Sequence, residues 1–162
     1  MLEAGTPAPL FTLNDLDGKP HSLADALKQG PVLLAFFKIS CPVCQFTFPF
    51  IERMFERYAG GKTSVWAISQ DDVADTRDFC KEFEITFPAL PDTEDYQVSN
   101  LYGITNVPTL FLVEPDGAIG LSFTGFSKKE LDEAARRLAT ATEKSPSPLF
   151  APSEIVPDYK PG

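Results

Sequence analysis

A continuous apolar run, Val32 to Lys38 (VLLAFFK), stops three residues short of Cys41-Pro42-Val43-Cys44, and a helical pattern begins directly behind it. A short run without polar alternation fits a strand buried on both faces. Such a strand needs a layer on each side. Together with the strand segments Thr63 to Ser69, FPAL, Thr109–Val113 and Ala118–Phe123, it is expected to build an α/β fold, with a central mixed sheet of about five strands flanked by helices. From Pro42 to Tyr58, apolar residues recur at helical spacing (Phe46, Phe50, Ile51, Met54, Phe55). Pro42 suits a first helical turn, where its missing N–H costs nothing, and Gly60-Gly61 ends the helix. CPVC thus falls at a junction between strand and helix.

The remaining elements are predicted from pattern and punctuation. The segment PLFTLNDLDGKPHSL reads as two extended pieces around an Asp17-Gly18 turn, an N-terminal β-hairpin. Thr63 to Ser69 is a second strand. A helix over about 72–84 follows, with Val73, Phe79, Cys80 and Phe83 as its buried stripe. A short extended FPAL and a brief helix over 96–102 come next, forming an inserted βα segment. Thr109–Val113 and Ala118–Phe123 flank the turn Pro115-Asp116-Gly117. Ser127 and Glu130 have the spacing of a capping box for a last helix to about Thr142. Residues 1–144 are read as one domain. Residues 145–162 hold five of the 15 prolines, which excludes helix and inner strand. Because Leu149, Phe150, Ile155, Val156 and Tyr159 are apolar, this tail is expected as a strap packed on the domain or on a neighbour.

Fourteen basic against 23 acidic residues leave a net charge of −9, which argues against nucleic acid or an anionic membrane as partner. No run approaches the ~18 apolar residues of a membrane span. The opening MLEAGTPAPLF lacks the regions of a secretory signal. A complete chain is therefore expected in the cytoplasm, and one from which a signal has been removed is expected outside it.

CPVC is compatible with three chemistries: half of a metal site, a redox-active dithiol, or a peroxidase centre with a second sulfur. A zinc site needs four ligands, and only Cys80 and His21 remain to complete one, so no metal is expected. His21, in a polar turn, is read as solvated. At the start of a helix, free N–H groups and the positive end of the helix dipole stabilise a thiolate, which moves a cysteine from ~8.5 into the range ~3.5–7.5. Cys41 is therefore the candidate nucleophile. Cys44, one turn on, is placed to resolve a mixed disulfide. Lys38 is a candidate for tuning the site by charge, or simply a strand-end lysine facing water. Cys80 is read as a small buried hydrophobe, and one ring among Phe46, Phe48 and Phe50 as a rim for substrate.

CPVC at this junction, Pro49 inside the following helix and the later GITNVPTLFLV together resemble the thioredoxin superfamily. GFSKKELDEAARRL resembles that family's closing glycine and last helix. The opening GTPAPLFTLNDLDG and the insertion DDVADTRDFCKEFEITFPALPDTE look like its TlpA-type and AhpC/TSA (redoxin) branch. The resemblance implies a thioredoxin-like fold in which Pro49 kinks the active-site helix. It also implies that Val107, Pro108 and Thr109 position substrate, with Pro108 cis and facing the dithiol. The branch holds disulfide reductases and peroxiredoxins. A peroxidase centred on Cys44 would have proline at position 37 and threonine at 41, where this chain has Phe37 and Cys41. The family's tryptophan before CxxC is Ser40, its buried acid is Ala35, and the reductase glutamate is Thr47. Thiol–disulfide exchange without a cofactor is the expected activity. Its expected partners are a disulfide- or thiol-containing substrate and a thiol reductant. Thiol peroxidase and a non-catalytic binding module are the alternatives.

Overall fold

Val32–Phe37 (β3) is the middle strand of a five-stranded sheet, and all six of its residues are buried. The computed structural model describes residues 1–162. Ahead of β3 lie the short antiparallel pair Thr12–Asn14 (β1) and Pro20–Ser22 (β2), then the helix Leu23–Leu27 (α1). The sequence reading missed α1. Ser22 caps it, its hydroxyl accepting from the Asp25 N–H at 3.3 Å.

After β3 come the helix Pro42–Tyr58 (α2), strand Ser64–Ser69 (β4), helix Val73–Glu82 (α3), strand Ala89–Pro91 (β5) and helix Gln97–Leu101 (α4). The chain closes with strands Thr109–Val113 (β6), Ile119–Thr124 (β7) and Phe126–Ser127 (β8), helix Lys128–Ala141 (α5) and the two-residue strand Tyr159–Lys160 (β9). The sheet order is β5-β4-β3-β6-β7. β3, β4 and β5 run parallel, and β6 and β7 pair antiparallel. It is the mixed sheet expected.

Alternation along β3 divides the core. Leu33, Ala35 and Phe37 face α2, α3 and α5, while Val32, Leu34 and Phe36 face the N-terminal segment and α4. In α3, Phe79 is buried and Cys80 and Phe83 half-buried, but Val73 is 44% exposed. Val73 is the first residue of that helix and lies beyond the packed stripe. The capping box is half made. Ser127 Oγ accepts from the Glu130 N–H, but the buried Glu130 Oε2 returns no hydrogen bond. Burial accordingly raises the Glu130 carboxyl above its ordinary value.

The tail splits in two. Leu149 and Phe150 are buried, with the Phe150 ring tilted against Phe50 and edge-on to Phe126, whereas Ile155 is fully exposed and Tyr159 is 53% exposed. β9 instead adds an edge pairing to β8 through its backbone.

Candidate active site

Cys41 is the N-cap of α2. Its extended backbone (φ −84°, ψ 113°) turns the sulfur back over the first turn, where Sγ accepts from the Cys44 N–H at 3.1 Å. A helix leaves its first N–H groups unpaired, and here a sulfur takes the place usually held by a hydroxyl or carboxylate oxygen. Cys41 is half-buried and Cys44 fully buried. Both are free thiols. Burial, with a further contribution from Cys41, pushes the Cys44 thiol far above its ordinary range, so Cys44 is held protonated.

The second wall is the segment before β6. The Val107–Pro108 peptide is cis, and Cys41 Sγ lies 3.5 Å from the Val107 carbonyl oxygen. Thr109 is buried, its hydroxyl donating to the Asn106 carbonyl at 2.7 Å. The Pro108 carbonyl accepts from the Gly125 N–H at 2.8 Å. These bonds tie the segment to its own turn and to β7–β8. Val107 and Pro108 thus stand beside Cys41, while Thr109 braces them from inside.

Two residues that the sequence reading did not single out pin the CPVC loop. The Ile39 N–H donates to Asp71 Oδ2 at 2.8 Å, and Gln45 Nε2 donates to the Ile39 carbonyl at 2.9 Å. Ile39 is thereby held from both sides, by the end of β4 and by α2. Lys38 sends its side chain into solvent, while its carbonyl accepts from the Cys41 N–H at 3.2 Å.

Thr47 is buried, its hydroxyl donating to the Val43 carbonyl at 2.7 Å. Pro49 within α2 leaves the Gln45 carbonyl without its helical donor. The buried carboxylate of α2 is Glu52, and both its oxygens are engaged by Thr86, at 2.7 Å from the N–H and 2.6 Å from the hydroxyl. Cys80 lies in the field of Glu52, and burial together with that charge pushes its thiol up to about 11. Among the three rings considered as a rim, Phe48 is fully buried and Phe46 half-buried. His21 is not solvated as expected. Its Nε2 pairs with Asp15 Oδ2 at 2.9 Å, and its ring stands edge-on to Trp66 in the pocket of the hairpin.

Comparison with known proteins finds relatives among thiol–disulfide oxidoreductases. Residues 4–122 match the model of the AhpC/TSA family. The thiol–disulfide oxidoreductase ResA of Geobacillus thermodenitrificans is 32% identical over 127 residues, covering 78% of this chain and 72% of the relative. ResA of Bacillus subtilis is 31% identical over 126 residues, covering 76% and 69%. Among solved structures, a putative thiol:disulfide interchange protein DsbE from Chlorobium tepidum superposes with a TM-score of 0.76 at 26% identity. That match covers 88% of this chain and 99% of the neighbour.

Proposed function

The chain belongs to the AhpC/TSA family, and we propose from that premise that it is a thiol–disulfide oxidoreductase in which Cys41 attacks and Cys44 resolves. The observation that carries the assignment is the contrast between the two sulfurs. Cys41 reaches solvent and accepts a helix N–H, whereas Cys44 is buried and held protonated. Only the less buried sulfur can meet a substrate first.

The exchange balances as two displacements. Cys41 thiolate attacks one sulfur of a substrate disulfide. The Cys41–substrate S–S bond forms, the substrate S–S bond breaks, and the leaving thiolate takes a proton. Cys44 then gives up its proton and attacks Cys41 Sγ. The Cys41–Cys44 disulfide forms and the second substrate thiol leaves. The substrate disulfide is reduced by two electrons and the dithiol oxidised by two. A thiol reductant restores the dithiol, and the same steps run backwards oxidise a substrate dithiol. While the mixed disulfide exists, the apolar surroundings of Cys44 disfavour its thiolate, and Glu52 is already occupied by Thr86. Resolution is therefore the slow half of the cycle in this reading. Val107 and Pro108 position the substrate beside Cys41, Thr109 holds that segment in place, and Lys38 contributes through the main chain at the start of the loop.

Turnover of insulin by the protein with dithiothreitol tests the assignment. Cys41→Ser abolishes reduction and Cys80→Ser leaves it nearly intact. Hydrogen peroxide consumption that survives Cys41→Ser and vanishes with Cys44→Ser would instead show a peroxidase centred on Cys44, against the burial of that sulfur.

A further inference from the structure

The last residues of the strap lie against the wall of the site that faces Cys41. β9 pairs with β8 in the register Phe126↔Lys160 and Ser127↔Tyr159, and the Lys128 N–H donates to the Asp158 carbonyl at 2.9 Å. Lys160 Nζ stands 4.8 Å above the ring of Phe46, two residues past Cys44. Past this pairing the chain closes on Val107. A Cβ on Gly162 would lie 2.4 Å from the Val107 carbonyl oxygen and 2.9 Å from its carbon. That same carbonyl oxygen is 3.5 Å from Cys41 Sγ. Gly125, at φ +78°, makes the close approach possible, since a Cβ there would meet the Lys160 carbonyl oxygen at 2.3 Å.

Sulfur and strap thus share one backbone edge, that of Val107. A disulfide in a polypeptide brings flanking main chain, which gains affinity by pairing with an open backbone edge beside the nucleophile. A small disulfide needs only the sulfur, and half-buried Cys41 still offers it. We propose that Lys160, Pro161 and Gly162 form the specificity-determining wall of the dithiol site: with Gly162 against Val107 and Lys160 over Phe46, they deny that edge to polypeptide substrates and favour small disulfides. The proposal rests on Cys41 being the nucleophile.

Single-turnover rates of the reduced protein with cystamine and with insulin test it, read by acid quenching and mass spectrometry. Removing residues 158–162 raises the insulin-to-cystamine rate ratio about tenfold. Gly162→Ala, which needs the space taken by the Val107 carbonyl, raises the ratio by a smaller factor and decides the matter if the truncated chain unfolds. An unchanged or lowered ratio with cystamine still reacting at Cys41 overturns the wall and leaves the nucleophile standing. A Cys41 inert to cystamine in the unaltered chain overturns both.

Discussion

Three cysteines of one chain occupy three environments, and their chemistry follows from position. Cys41 caps a helix at the surface, Cys44 lies one turn deeper in the core, and Cys80 is half-covered on α3 beside Glu52. Alkylation of the native reduced protein should therefore label Cys41 first and Cys44 last. Between neutral pH and about 11, labelling of Cys80 should rise roughly tenfold per pH unit, because each unit multiplies its thiolate fraction by that factor until the group titrates. A plateau well below that range, followed by peptide mapping, would show that burial does not control this thiol. The placement of Cys41 and Cys44 was legible because strand, spacing and helix start all lie within one stretch of sequence. Asp71 was not, since its partner Ile39 is brought to it only by the parallel pairing of β3 and β4, and Gln45 meets Ile39 only through the turn that joins β3 to α2. Removing the acceptor in Asp71→Ala leaves the Ile39 N–H unpaired in a part-buried site. The expected loss, about 1–3 kcal/mol, is measurable by urea unfolding, and Asp71→Asn should recover most of it.

At the scale of elements, long periodic segments were readable, and short ones only where turn residues set them off, as with β1, β2, β5 and α4. α2 was bounded by Pro42 and the glycine pair, and β3 by its unbroken apolar run. α1 has five residues and β8 and β9 two each, so their existence depends on neighbours rather than on local pattern. The strap shows the same dependence. Its apolar content was read as a sign of packing, but composition could not tell buried Leu149 and Phe150 from exposed Ile155. Between these residues the strap is also held by charge. Arg53 donates to both oxygens of Glu154, at 2.7 and 2.9 Å, and holds that carboxyl down at about 2. The ordinary value in an unfolded chain is about 4.3. A folded-state value below the unfolded one gives stability that is present above the unfolded pKa and lost as pH falls through the folded one. The melting-point difference between the unaltered protein and Glu154→Gln should hold near pH 6 and shrink between about pH 5 and 2. A difference independent of pH would mean that the pair does not hold the strap.

The whole molecule is a sheet with two unequal covers. The larger cover holds α2, α3 and α5, and the strap extends it by seating Phe150 against Phe50 and Phe126. No helix is long and apolar enough to cross a membrane. Deleting residues 145–162 should lower Tm, by ~2–4 °C for each kcal/mol lost in a chain of this size, and Leu149→Ala alone should account for part of the loss. An unchanged Tm would mean that the strap adds nothing to global stability. On the proposed mechanism, the sheet and its covers present one sulfur to substrate while the other waits beneath it. Cys44→Ser, mixed with a disulfide substrate and mapped by peptide mass spectrometry, tests that claim most directly. A stable mixed disulfide is expected on Cys41 in this variant, and none on Cys44 in Cys41→Ser. An adduct on Cys44 with Cys41 unreactive would contradict it.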